Sequence, residues 1–245
     1  YLSDSNKFKL NLDLFNKIRK GKFEKAFIMH YGLRYFILCK LSFIKNIKFY
    51  GILKKNESIV KKISDETKKW INDQNIIFKP KIYLEKKPLK KNYICIGIGG
   101  SGNNKKWKIN FFKELIEKIS LNSKNNNTFI LAGGLNELNE AQFLIDNLFK
   151  NKFISLCELS IEKSLEYLSS SFLYIGNDTS FMHICGSLNI KSFGIFGDTP
   201  PDYCSYNKNI IPILPPTDKY ITHGSGKMDS ILPNYLYENI KDYIQ

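Results

Sequence analysis

A chain of 245 residues can hold one large domain or two small ones with a real core. No stretch approaches the roughly 20 apolar residues of a membrane span, and the start lacks the basic-then-apolar pattern of a signal peptide. The net charge of +14 is uneven: residues 1–91 carry 23 Lys/Arg against 8 Asp/Glu, whereas residues 92–245 carry 14 against 15. Five well-separated cysteines with no CxxC pair are read as free thiols of a cytosolic protein, in preference to disulfides or zinc ligands.

In chain order, Ala26 to His30 is predicted as a strand, Leu33 to Ile44 as a helix and Ile47 to Tyr50 as a strand stopped by Gly51. Glu57 to Trp70 reads as a charged helix. Asn72 to Lys91, with Pro80, Pro88 and many lysines, reads as an interdomain connection. From residue 92 the pattern is regular. Strands are predicted at Tyr93–Ile98, Thr128–Ala132, Phe153–Leu156, Phe172–Ile175 and Ser192–Phe196. Between them lie helices from Asn110 (read as its N-cap), Glu137–Phe149, Ser160–Ser169 and Thr179–Leu188. A last helix spans about Pro233 to Tyr243. Strands alternating with helices of this length argue for a parallel sheet covered on both faces. The expected division is 1–91, 92–228 and 229–245.

Four polar loops each follow a predicted strand: Gly99-Gly100-Ser101-Gly102, Gly133-Gly134-Leu135-Asn136-Glu137, Gly176-Asn177-Asp178-Thr179-Ser180 and Gly197-Asp198-Thr199-Pro200-Pro201. In an open parallel sheet these loops share one edge, where ligands bind. Any one is ordinary turn chemistry; together they favour a nucleotide-type ligand. The first formally satisfies GxGxxG, but Asn103 to Lys108 delay the helix, and the second strand ends in glycines, not an acid. A dinucleotide site is thereby disfavoured. Asn103 in place of lysine argues against a P-loop. Lys105 is positioned to neutralise a phosphate held by backbone amides, unless it is a plain loop lysine. Trp107 reads as a packing anchor. No metal-ligand cluster, paired carboxylate motif or Cys/His pair is apparent, so metal-independent chemistry without a cofactor is expected.

These loops resemble the C-terminal domain of glycosyltransferase family 9, the ADP-heptose:lipopolysaccharide heptosyltransferases. The matching residues are Gly99-Gly100-Ser101, Lys105-Lys106-Trp107, Gly133-Gly134, Asn177-Asp178-Thr179-Ser180-Phe181-Met182-His183 and Phe196-Gly197-Asp198-Thr199-Pro200-Pro201. Gly32, Arg34 and Gly51 match the end of the family's acceptor domain only loosely. The resemblance implies an α/β protein of GT-B type, with two Rossmann-like domains of which the first is incomplete. Its final helix would cross back toward the first domain.

It implies further that Ser101, Gly102, Lys105, Thr179 and Ser180 hold the donor diphosphate, and that Asp178 meets the donor sugar. His183 would donate to a phosphate or steady the Asp178 loop, Glu137 would meet the ribose, and Arg34 would touch the acceptor. The alternatives are a capping role for Asp178, a buried structural histidine, a surface glutamate and a helix-surface arginine. Two departures stand out. Ser180 replaces the family's glycine. The strand and Gly-Asp loop bearing the family's presumed general base do not occur, so the base is expected before Tyr1.

The implied activity is inverting transfer of a heptose-like sugar from an ADP-sugar to a lipid-linked core oligosaccharide at the cytoplasmic face of the inner membrane. The alternatives are a transferase using another nucleotide sugar, or a non-catalytic protein binding sugar nucleotides or polyanions. The basic first part suits anionic headgroups, or is a solvated lysine surface. No motif for specific nucleic-acid binding accompanies the lysines.

Overall fold

A computed structural model describes residues 4–29, 33–51, 59–76, 80–85, 88, 91–123, 126–148 and 152–244. They form two compact units, Tyr1–Phe78 and Lys79–Gln245. The boundary falls inside the proline- and lysine-rich stretch predicted as a connection.

The first unit contains α1 (Asp4–Lys20), β1 (Lys25–Ile28), α2 (Leu33–Leu41), β2 (Asn46–Phe49) and α3 (Ile59–Ile71). β1 and β2 pair in parallel, with Ile28 opposite Phe49. Ile28, Cys39 and Ile44 form a small core, against which Phe36 and Phe49 pack with ring centroids 5.4 Å apart. α1 is absent from the sequence reading. Phe8, Leu10, Leu12 and Leu14 are spaced by two, which mimics a strand, and only Phe15 and Ile18 add the helical period. His30, Gly32 and Glu57 lie outside the described residues.

The second unit is a doubly wound α/β layer. Its elements are β3 (Tyr93–Gly97), α4 (Ile109–Asn122), β4 (Thr128–Ala132), α5 (Leu138–Asn147), β5 (Lys152–Ser155), α6 (Ile161–Ser170), β6 (Ser171–Asn177), α7 (Ser180–Ser187), β7 (Lys191–Ile195), β8 (Ile210–Ile213) and α8 (Pro233–Ile240). The six strands are parallel in the order β5-β4-β3-β6-β7-β8.

The central strands are continuous apolar runs because both faces are covered. Along β3 the side chains alternate. Ile94 and Ile96 enter one core, with Phe112, Leu115 and Ile116 of α4. Cys95 enters the other, with Leu168, Tyr174, Met182 and Cys185. Where β3 meets β6, Gly97 faces Gly176. A Cβ on Gly176 would strike the backbone of Gly97, and one on Gly97 would strike the Tyr174 hydroxyl. Glycine is required at this crossing.

Two sequence expectations are corrected. β8 was not foreseen, because Pro212 argues against a strand; it is tolerated here at the sheet edge, where its missing N–H leaves no ladder partner unmet. Asn110 is not an N-cap, for α4 begins at Ile109 with Lys108 as cap and no side-chain capping bond. α8 packs on α4, and its Leu236 and Ile240, both fully buried, complete the second unit's own core.

Candidate functional site

The strand order reverses between β3 and β6: the chain winds outward from β3 to β5, then returns to β6 and winds the other way. Such a switch point opens a crevice at the C-terminal strand ends. A cavity of about 380 Å³ lies there. Its walls are Gly99, Gly100 and Ser101 after β3, Gly133, Gly134 and Glu137 after β4, and Asp178, Thr179, Ser180 and Phe181 after β6. Three of the four predicted loops therefore converge.

The fourth loop does not line the cavity and secures the chain behind it. The buried Asp198 carboxylate accepts the Gly226 N–H at 2.6 Å, and the Lys227 N–H donates to the Gly197 carbonyl at 2.8 Å.

The β3 and β6 loops are tied by one buried side chain. Asn177, fully buried, accepts the Trp107 N–H at 3.0 Å and donates to the carbonyls of Ile98 (3.1 Å) and Gly99 (2.9 Å). Trp107 is anchored in turn by its indole N–H on the Ile231 carbonyl at 2.7 Å and by edge contact with Phe112. The Tyr174 hydroxyl donates to the Asn177 carbonyl at 2.9 Å; burial pushes its ionisation well up, keeping it a donor. The glycine-rich loop is thus fixed from behind, and its Gly99, Gly100 and Ser101 line the cavity. Gly102, at φ +104°, makes the turn that a side chain would strain.

Among the predicted site residues, Ser101, Glu137, Asp178, Thr179 and Ser180 share the cavity wall. Thr179 is the N-cap residue of α7, so the first amides of that helix lie at the cavity with nothing in their own helix to bind. Glu137 is not the surface glutamate of the plainer alternative. Only 7% exposed, it accepts the Gly134 N–H at 2.8 Å and pairs with Lys106 at 2.7 Å. Burial lowers the Lys106 pKa, but Glu137 and Glu140 more than offset it, leaving the lysine raised and cationic.

Gly102, Lys105 and His183 stand off the wall. Lys105 closes the 3-10 turn Asn103–Lys105 and is half-buried. The His183 Nε2 lies 3.3 Å from the Asp178 carboxylate, and its Nδ1 lies 2.5 Å from the Tyr206 hydroxyl. Arg34 is on the first unit, exposed, with its guanidinium 4.6 Å over the neighbouring Tyr35 ring and donating to that hydroxyl.

Lys106, Tyr206 and the clamp role of Asn177 were missed from sequence. Lys106 stands beside the lysine that the motif singles out. Asn177 lies within a motif whose amide suits a ligand as readily as a backbone. Tyr206 is 23 residues from its partner with no local signal.

Comparison with known proteins adds the following. The family described as glycosyltransferase family 9 (heptosyltransferase) matches residues 34–225. Among solved structures, Escherichia coli heptosyltransferase WaaC with ADP-2-deoxy-2-fluoro heptose superposes with a TM-score of 0.68 at 14% identity, over 99% of this chain and 79% of that one. E. coli ADP-heptose lps heptosyltransferase II gives 0.71 at 12% identity, over 97% and 81%. The family 9 glycosyl transferase of Veillonella parvula gives 0.72 at 14%, over 100% and 80%. These identities establish the fold, which is α/β of GT-B type. No curated protein matches the chain.

Proposed function

The chain belongs to glycosyltransferase family 9, and on that premise we propose that it transfers a heptose-like sugar from an ADP-sugar to a lipopolysaccharide core acceptor. The observation that carries this reading is the cavity at the β3/β6 switch point, where a glycine-rich loop and the first turn of α7 face each other. A diphosphate lying between them meets backbone amides and the positive end of a helix. WaaC is solved with an ADP-heptose analogue; in the reading proposed for this chain the diphosphate lies on Ser101, Thr179 and Ser180, which line the cavity. Lys105 reaches in from the rim, Glu137 faces the ribose and Asp178 the sugar hydroxyls.

In the transfer the acceptor hydroxyl loses its proton to a base, and its oxygen attacks the anomeric carbon. The bond to the diphosphate breaks, and ADP leaves with the electron pair. Cleft amides and lysine that strengthen their hold as charge builds on the leaving oxygen lower the barrier. The acceptor is an anionic, lipid-linked saccharide in this reading. The lysine-rich first unit supports it, together with attachment to the inner membrane's cytoplasmic surface. No helix of the described residues is long and apolar enough to cross a membrane.

Calorimetry with ADP, UDP and GDP, followed by a transfer assay with ADP-heptose and a core-saccharide acceptor, tests the reading. ADP is expected to bind best; a clear preference for UDP or GDP overturns the ADP assignment.

A further inference from the structure

Three polar side chains from three parts of the chain form a line that starts at the cavity wall. Asp178 ends the β6 loop, His183 sits one turn into α7, and Tyr206 lies between β7 and β8. The donors can be assigned by elimination. The Asp178 carboxylate only accepts, so the His183 Nε2 facing it at 3.3 Å carries the hydrogen. In a neutral imidazole Nδ1 then has none and must accept, and its neighbour is the Tyr206 hydroxyl at 2.5 Å.

The two rings lie within 23° of parallel, with centroids 5.8 Å apart, so packing holds the same orientation. Burial, reinforced by the nearby Cys204 and Asp178, raises the Tyr206 ionisation and keeps the phenol a donor. Tyr206 is itself held by the 3-10 turn Pro201–Cys204, whose Cys204 carbonyl accepts the Asn207 N–H at 3.0 Å. The fourth glycine-bearing loop, which leads into that turn, thereby reaches the cavity indirectly.

We propose that Tyr206 is a positioning residue: its hydroxyl fixes the His183 tautomer, and His183 in turn fixes the Asp178 carboxylate toward the sugar end of the cleft. The sugar-facing role of Asp178 rests on the function proposed above; the tautomer lock does not. Removing the hydroxyl frees the imidazole to exchange its hydrogen between nitrogens or to rotate, and Asp178 loses a defined donor.

Tyr206→Phe keeps the ring and removes only the hydroxyl. Imidazole 15N shifts recorded in alkaline solution report the tautomer, and with three histidines in the chain His183→Gln assigns the signal. The wild-type chain is expected to show a pyridine-like Nδ1 and a protonated Nε2, and Tyr206→Phe a mixture. ADP-heptose affinity should fall about three- to tenfold, a hydrogen bond's worth, with ADP affinity within twofold of wild type. In a His183→Gln background Tyr206→Phe should add nothing. An unchanged tautomer overturns the proposal, as does a shifted tautomer with undiminished ADP-heptose binding. A shifted tautomer in a chain whose wild type binds neither ADP nor ADP-heptose upholds the lock and counts against the donor reading of the cleft.

Discussion

Asn177 engages its side-chain amide entirely within the protein, and the consequence is testable by two substitutions. Asn177→Ala leaves a buried N–H and two carbonyls without that partner, at a cost of about 1–3 kcal/mol or more. Asn177→Asp keeps the acceptor for Trp107 but turns an anionic oxygen toward two carbonyls, so urea denaturation should find it less stable than the alanine variant. Equal stability would refute the clamp. Lys105 and Asp178 test opposite ends of the proposed donor. Lys105→Ala should weaken ADP by roughly 1.5–3 kcal/mol, the worth of a hydrogen bond to a charged group, while leaving adenosine unaffected. Asp178→Ala should weaken the sugar nucleotide and spare ADP. Titration calorimetry with the three ligands separates these patterns; an ADP affinity untouched by Lys105→Ala removes that lysine from the site.

At the scale of elements, α8 is an integral part of the second unit's core. Ile240 is fully buried among α4 side chains, so Ile240→Ala should cost about 2–5 kcal/mol in chemical denaturation, as buried aliphatic truncations do. A loss below 1 kcal/mol would mean that α8 is only loosely docked. Its existence was legible from the Pro233 start and apolar spacing, but not its seat, which depends on a partner more than 100 residues earlier. The same division holds elsewhere. Strands β3, β4, β6 and β7 were legible because apolar runs end in glycine clusters, and the cavity followed from where parallel strands end. β8 was hidden by Pro212, a residue whose meaning depends on edge position, which only the assembled sheet defines. The cleft's loops could be read locally; the bonds that hold them, from Asn177 to Ile98 and from His183 to Tyr206, join distant segments and leave no periodic trace.

Considered whole, the described residues bury all five thiols. Burial pushes Cys204 up to about 11, and pushes up Cys39, Cys157 and Cys95, the last beside Cys185. In the unfolded chain these thiols ionise near 9, while the folded chain holds their protons. Stability is therefore fully present below about pH 8.5 and falls as pH rises toward 11. For Cys204 the two-unit shift corresponds to at most about 2–3 kcal/mol. Thermal melts from pH 7 to 10.5 should show this decline, with Cys204→Ala declining less steeply than wild type; parallel curves would show that Cys204 does not contribute. The switch point has a different consequence, for synthesis. Ile98 and Asn177 are 79 residues apart, so one edge of β3 emerges from a ribosome several seconds before β6 exists, at roughly 5–20 residues per second. During that interval the nascent chain presents an apolar strand with an unpaired edge, a natural target for holding chaperones, and the cleft at the switch point comes into being only when β6 is translated and the seam closes.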